Sequence, residues 1–170
     1  MGICDGRVVI VTGSGRGIGR EHALAYAAEG AKVVVNDLGG DMHGDGGDPS
    51  AAMQVVDEIK AMGGEAVVNG ENVADWNGAQ RLVQQAIDTY GDLHVLVNNA
   101  GILRDRVIIN MTEAEWDSVI TVHLKGHFAP THHAAVYWRE QTKAGKEVEF
   151  VAAKPTKVPV HVKFTAKEKQ

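Results

Sequence analysis

The chain has 170 residues, a length that suits one well-buried domain and is short for two. Its formal net charge of -5 and its pI near 5.9 give no general attraction to nucleic acid or to anionic membranes. Cys4 is the only cysteine, which excludes an internal disulfide, and no apolar run reaches the ~18 residues of a membrane span. We therefore expect a cytoplasmic protein that partners neither nucleic acid nor membrane.

The first predicted element is a strand that runs into a glycine-rich turn and then a helix. Val8 to Val11 is a continuous β-branched run, typical of a strand buried on both faces of a parallel sheet. Glycines after it permit a sharp turn and close approach of a ligand, and the free N–H groups of the next helix favour an anion such as a diphosphate. A tight turn without a ligand is the alternative. The residues of the turn are Gly13, Ser14, Gly15, Arg16, Gly17, Ile18 and Gly19.

The second predicted strand, Ala31 to Val35, follows an alanine-rich helix that ends at Gly30. The strand leads into Asp37, which lies 18 residues beyond Gly19. That spacing is close to the ~20 residues at which an acid binds a ribose in dinucleotide sites. Dinucleotide binding is therefore favoured over a ligand-free turn.

The next segment, Leu38 to Asp48, is rich in glycine and aspartate. The acids do not follow EF-hand spacing, so we expect a solvated loop beside the adenosine instead of a calcium site. With Asp37, they are Asp41, Asp45 and Asp48.

Strands and helices continue to alternate through residue 101. Asp48 and Pro49 predict the start of a helix that ends at Gly63, and its inward positions are Ala52, Val55, Val56, Ile59 and Met62. Strands are predicted at Glu65 to Val68 and at Leu93 to Val97, and between them Asp75 caps a helix that ends before Gly91. Asn98, Asn99, Ala100 and Gly101 follow the last of these strands, and small and amide side chains there suit a cofactor site.

A fourth helix is predicted from a capping box, Thr112 with Glu115. Its expected inner face carries Trp116, Val119, Ile120, Leu124 and Phe128. Pro130 predicts a kink or break near His127. His123 and His127 have the spacing of zinc ligands, but no acid or thiol lies nearby in sequence, so we expect core or surface histidines and no metal site.

Together, TGSGRGIG at Thr12 to Gly19, Asp37, the Asn72-Val73 loop and NNAG at Asn98 to Gly101 resemble the short-chain dehydrogenase/reductase family. VVVNDLGGD, NNAGILRDR and WDSVITVHLKGHF further resemble its (3R)-hydroxyacyl-CoA dehydrogenase and 3-oxoacyl reductase branch, over about residues 5–140. The resemblance implies a Rossmann-like α/β three-layer sandwich with a parallel sheet that is incomplete in its C-terminal half. It also implies an NAD(P)-dependent oxidoreductase acting on a hydroxy or oxo substrate, the acyl thioester being the branch's suggestion.

Carried over by position, the resemblance assigns the glycine turn to the pyrophosphate and Asp37 to the adenosine ribose. Asn72 and Val73 would flank adenine, and Asn99, Ala100 and Gly101 would line the nicotinamide side. Asp37 favours NAD, because an acid there would repel a 2′-phosphate, and Leu38 stands where NADP users often carry a basic residue; Arg16 opposes this modestly. In relatives the fourth helix commonly builds the subunit interface, so a homo-oligomer is expected.

The sequence departs from the family in its catalytic residues. The family uses a serine and a tyrosine followed four residues later by lysine, but here Gly30, His94 and Gln141 stand four residues after the tyrosines, which are Tyr26, Tyr90 and Tyr137. The last serine is Ser118, within the fourth helix, and His123 stands where many members carry a catalytic asparagine. The catalytic residues are therefore unknown. The alternative function is a non-catalytic dinucleotide-binding module, truncated or chimeric.

The last thirty residues differ in character from the rest, so we divide the chain into an NAD-binding portion, 1–140, and a lysine-rich tail, 141–170. Val148 to Ala152 and Val158 to Phe164 are predicted strands, and only Ala153 to Lys157 separates them. So short a connection requires antiparallel pairing, so the tail is expected to add a hairpin or to hang as a poorly ordered extension. It is either a solvated basic segment or an arm for an acidic partner.

Overall fold

The computed structural model describes residues 2–40, 50–146, 149–152 and 160–163, the last two segments by their backbone alone. The strands are β1, Val8–Thr12; β2, Lys32–Asn36; β3, Glu65–Asn69; β4, Val95–Val97; β5, Glu149–Ala152; and β6, Val160–Lys163. The helices are α1, Gly17–Ala28; α2, Ser50–Ala61; α3, Trp76–Tyr90; α4, Glu113–Ile120; and α5, Gly126–Lys143. A 3₁₀ turn, Ile108–Asn110, precedes α4, and a π turn, Thr121–Lys125, joins α4 to α5.

The first four strands form one parallel sheet in the order β3-β2-β1-β4. β1 is central, and every residue of it is buried because helices cover the sheet and two strands flank it. Its register pairs Ile10 with Val34 on one side and with Leu96 on the other. The predicted Rossmann-like α/β fold is confirmed, and the carboxyl ends of β1, β2 and β4 meet at one edge.

Local sequence determines where the helices end. Asp75 accepts a hydrogen bond from Gly78 N at 2.6 Å and caps α3, which ends at Gly91 in the left-handed conformation. The inward residues predicted for α2 are buried as their spacing predicts, with one exception. Met62 was expected on the inner face, but α2 ends at Ala61 and the Met62 side chain is 56% exposed. Its predicted burial is therefore wrong, because the chain turns at Gly63 before another helical turn is complete.

The predicted inner face of the fourth helix is not buried. Trp116 is 56% exposed, Leu124 65% and Phe128 57%. Ile120 is also exposed, and Val119 is half-buried. The capping box of Thr112 and Glu115 forms as predicted. Trp116 and Ile120 lie before the π turn at Thr121–Lys125, and Phe128 lies after it. We call Trp116, Ile120, Leu124 and Phe128 the apolar stripe.

Of the kink or break predicted near His127, the break does not occur, because α5 runs on past Pro130 to Lys143. α5 continues through Pro130 from Gly126, and the departure from α-helical bonding is the π turn, which ends at Lys125.

The chain divides into two compact units, Met1–His133 and Ala134–Gln170. In the second unit, β5 pairs with β6 in the antiparallel sense, with Phe150 opposite Val162, so the predicted hairpin is confirmed. Ala153 to Lys157, most of the tail lysines, and the loop acids Asp41, Asp45 and Asp48 lie outside the described residues, as does the predicted helix start at Pro49. The functional division at residue 140 stays a prediction. Within the described residues, none of the helices is long and apolar enough to span a membrane.

Candidate functional site

The glycine turn between β1 and α1 adopts conformations that only glycine accepts readily. Gly13 and Gly17 have φ angles of 61° and 56°. A β-carbon on Gly19 would lie 2.2 Å from the Gly13 carbonyl oxygen, so α1 packs directly on the turn. No side chain caps α1, and its first turn holds no acid. Its exposed N-terminal N–H groups therefore suit an anion.

A network between Thr12 and Asn99 fixes the turn to the end of β4. The Thr12 hydroxyl donates to Val97 O at 3.2 Å and accepts from the N–H groups of Asn99 and Ala100 at 3.0 and 3.1 Å. The Asn99 amide donates to the carbonyls of Thr12 and Gly13 at 3.0 and 2.9 Å. Thr12 is fully buried. Asn99 therefore acts as a brace for the glycine turn.

Asp37 lies at the end of β2 with both carboxylate oxygens engaged by backbone. One oxygen accepts from Gly15 N and the other from Gly39 N, each at 2.8 Å. These bonds hold the carboxylate beside the glycine turn. Because a carboxylate oxygen can accept more than one hydrogen bond, both oxygens retain capacity for the hydroxyls of a sugar.

The loop after β3 is held by buried amides. Asn36 and Asn69, 2% and 5% exposed, hydrogen-bond each other at 2.7 Å, and both contact the backbone of Glu71. Asn72 accepts from Ala74 N at 2.9 Å through its side chain, which closes the turn that leads into α3. Val73 is buried beside it.

These groups converge on one cavity of about 480 Å³ at the carboxyl edge of the sheet. Most of the predicted cofactor residues line it: Gly13, Arg16, Asp37, Leu38, Asn72, Val73, Asn99, Ala100 and Gly101. Ser14, Gly17, Ile18 and Gly19 do not line it. The Ser14 hydroxyl is buried against Val11 O and Asn36 O at 2.7 and 3.2 Å, so it joins β1 to β2.

Several lining residues were not predicted from the sequence. One group follows the NNAG segment directly, and another recurs on one face of the fourth helix: Ile102 and Arg104, and Asp117, Ser118, Thr121 and Val122. The residues from the fourth helix recur at helical spacing, which places them on one face. The prediction concerned a different, apolar face of that helix. Thr12 was also missed as a positioning group, although it directly precedes the glycines.

His123 and His127 contact the backbone of the segment after β4. His123 Nε2 lies 2.8 Å from Ile102 O, and His127 Nε2 lies 2.9 Å from Ala100 O. A β-carbon on Gly101 would lie 2.6 Å from the His123 ring, so glycine is needed for this packing. Among the described residues, no group of histidine, cysteine or acidic side chains has the arrangement of a metal site.

The two tyrosines of the first unit have environments unlike that of an acid–base catalyst. Burial raises the pKa of Tyr90 to about 12, with a further contribution from the charge of Glu65. Burial also raises the pKa of Tyr26, and Cys4 adds to the effect. A tyrosine that exchanges protons near neutral pH needs the opposite shift.

Comparison with known proteins shows which family has sequences similar to this chain. The model of the short chain dehydrogenase family matches residues 7–161. The chain is 53% identical over 137 residues to peroxisomal multifunctional enzyme type 2 of Drosophila melanogaster. The aligned region covers 81% of this chain and 22% of that relative. It is 44% identical to a hydroxyacyl-CoA dehydrogenase of Mycobacterium tuberculosis, covering 82% of the chain and 42% of the relative.

A solved structure gives the same picture. The crystal structure of a short chain dehydrogenase from Mycobacterium avium superposes with a TM-score of 0.79 at 64% identity, covering 86% of this chain and 51% of that one. The chain thus spans less than half the length of these two curated relatives and about half of this solved structure.

Proposed function

The chain belongs to the short-chain dehydrogenase family, and on that premise we propose that its cavity binds a nicotinamide dinucleotide as the cofactor site of an oxidoreductase. One observation carries the proposal: the glycine turn, the Asp37 carboxylate and the Asn99 to Gly101 segment meet in a single cavity. The uncapped N-terminus of α1 beside the turn fits the charge of a diphosphate.

The residues present fit the parts of such a cofactor. The glycine turn, with the N–H groups that begin α1, would hold the diphosphate, and Asp37 would accept from the adenosine ribose. Asn72 and Val73 would flank adenine, and Asn99 to Gly101 would line the nicotinamide end. A bound nicotinamide supplies hydride exchange with a carbon of the substrate. The protein's own residues position it.

We expect NAD to be preferred over NADP. The Asp37 carboxylate is fixed by the N–H groups of Gly15 and Gly39, so it cannot easily move away from a ligand. A 2′-phosphate beside it would meet like charge. Arg16 also lines the cavity and would attract that phosphate. Because Asp37 is held in place by two hydrogen bonds, its repulsion should decide the preference.

A 3-hydroxyacyl or 3-oxoacyl thioester is the proposed substrate class. The names of relatives support it, since they include a hydroxyacyl-CoA dehydrogenase and a 3-oxoacyl-[acyl-carrier-protein] reductase. Because the chain spans only part of these proteins, their whole activity does not transfer directly. A cytoplasmic location stays a prediction, and several relatives carry the word peroxisomal in their names.

A second candidate is a module that binds the dinucleotide without catalysis. It is favoured by the absence of a Tyr-x-x-x-Lys sequence from these 170 residues and by the raised pKa values of Tyr26 and Tyr90. Loss of a general acid forfeits about 10²- to 10⁴-fold in rate.

Two measurements on the same sample separate the candidates. An NADH titration followed by nicotinamide fluorescence tests binding, and NADH consumption with a 3-oxoacyl thioester tests turnover. Binding with turnover supports the oxidoreductase, and binding without it supports the module. An absence of binding would overturn both.

A further inference from the structure

We infer that Gln85, on α3, is a positioning residue for the adenosine end of the cavity, acting through a chain of amides. The inference rests on the proposed dinucleotide site. Gln85 does not line the cavity, but its side-chain oxygen accepts from Asn69 Nδ2 at 2.7 Å. Asn69 in turn contacts the loop that does line it.

The orientation of each amide in this hydrogen-bonded series is fixed by its partners, which for Asn69 Oδ1 include the Asn36 side-chain amide at 2.7 Å. Val68 O accepts from Gln85 Nε2 at 3.0 Å, which turns the Gln85 oxygen towards Asn69. At the other end, Glu71 N donates to Asn69 Oδ1 at 3.0 Å, which turns the Asn69 amide nitrogen towards Gln85. The two requirements agree, so each amide is oriented by its neighbours.

The amide network contacts both backbone groups of Glu71. Asn69 accepts from Glu71 N, and Asn36 Nδ2 donates to Glu71 O at 2.9 Å. The Glu71 carboxylate is held separately by Arg81, at 2.7 and 2.6 Å. Arg81 and Gln85 lie four residues apart on α3, so this helix holds residue 71 through its side chain and, indirectly, through its backbone.

Residue 71 precedes Asn72 and Val73, and all three line the cavity. Among the described residues, β3 pairs with β2 alone and no strand lies on its other side. The amide chain supports the end of β3. Losing the Asn69 partner should let Asn69 turn away from Glu71 N, and the adenosine-facing loop would lose its fixed position.

The test separates the two hydrogen bonds of Gln85. Gln85→Glu keeps an acceptor for Asn69 but cannot donate to Val68 O, whereas Gln85→Lys keeps a donor but cannot accept. Gln84 is exposed, bonds only Asp88 at 2.8 Å in the described structure, and provides matched controls for added charge. ADP-ribose, which carries no nicotinamide, is the probe, titrated calorimetrically into the full chain.

Relative to Gln84→Lys, Gln85→Lys should bind ADP-ribose about three- to tenfold more weakly. Relative to Gln84→Glu, Gln85→Glu should lose less than about twofold. A purely structural role through Val68 O predicts the reverse order. Equal losses in the two variants, the reverse order, or no loss in either would overturn the inference.

Amide hydrogen exchange in the ligand-free protein gives a second readout. Exchange at Glu71 N–H should be faster in Gln85→Lys than in Gln84→Lys, with β1 amides unchanged, and equal exchange at Glu71 would overturn the inference. Failure of the parent chain to bind ADP-ribose overturns the proposed function, and this inference with it. Parent binding with indistinguishable variants overturns the inference alone.

Discussion

The carboxyl edge of the sheet and the helical segment that follows it use their side chains differently. At the sheet edge, Thr12, Asn36, Asn69 and Asn99 are held by hydrogen bonds to backbone within the same unit. In the helical segment, the apolar stripe is exposed, and Ile108 and Ile109 before it are 83% and 86% exposed. The sheet edge is thus a polar region held by hydrogen bonds, while the helical segment exposes large apolar side chains, where we predict self-association.

The strongest way to break the site is to fill the space beneath the glycine turn. Gly19→Ala places a β-carbon 2.2 Å from Gly13 O and 2.4 Å from the Asn99 amide nitrogen. We expect a loss of about 1–3 kcal/mol in the free energy of unfolding and a matching loss of NADH affinity. Gly70→Ala is the control, because a β-carbon there meets nothing within 4 Å. Urea unfolding and an NADH titration measure both effects; equal behaviour of the two variants would contradict close packing.

The network at Thr12 should be nearly as sensitive. Thr12→Val removes the hydroxyl that accepts from Asn99 N and Ala100 N, leaving two partly buried donors without this partner. The expected cost is about 1–3 kcal/mol in unfolding free energy. Thr12→Ser keeps the hydroxyl and should stay closer to the parent. If valine proves the milder of the two in urea unfolding, the hydroxyl does not brace the turn.

Substitutions in the apolar stripe should leave the stability nearly unchanged and should instead alter self-association. Leu124→Glu and Phe128→Glu change exposed positions, so the unfolding free energy should stay within about 0.5 kcal/mol of the parent. Self-association should nevertheless weaken, because a charge enters the predicted homo-oligomer surface. Analytical ultracentrifugation checks this, with Met53→Glu on exposed α2 surface as control. A parent that is monomeric at all concentrations rules out the oligomer.

The smallest effect is expected at the start of the fourth helix. Hydrogen bonds from Thr112 and Arg106 lower the pKa of Glu115 from 4.5 to about 2. The carboxylate therefore contributes stability that is complete above pH 4.5 and is lost as the pH falls towards 2. Thermal melts across this range should show a weaker pH dependence in Glu115→Gln than in Glu113→Gln. Identical slopes would argue against the capping box.

Local patterns predicted most of the fold because each depends on neighbouring residues. α3 begins after the side-chain cap Asp75 and ends before Gly91, which has the left-handed conformation. Each boundary is predicted by a few neighbouring residues. The buried β-branched run of β1 likewise predicts a central parallel strand. Contacts between distant residues were harder: the partners of Thr12 lie about 87 positions away, so no spacing argument reaches them.

The same reasoning explains the error at the stripe. Trp116 and Leu124 have the spacing of a buried helical face, and periodicity cannot tell whether a buried face is covered by the same chain or by another protein. The π turn at Thr121–Lys125 lies close to the irregularity that Pro130 predicts, but the sequence does not indicate its form. For the site, the glycine turn and Asp37 were predicted to lie together and do so, whereas Arg104 and Asp117 reach the cavity only through the fold.

The most direct test of the account is a paired titration of the parent chain with NADH and NADPH. Asp37, held by Gly15 N and Gly39 N beside the cavity, predicts that NADH binds more tightly. Asp37→Ala should reduce the difference in affinity between the two dinucleotides, because NADH binding weakens and the repulsion of the NADPH 2′-phosphate is relieved. Equal or reversed affinities in the parent, or binding of neither dinucleotide, would contradict the account.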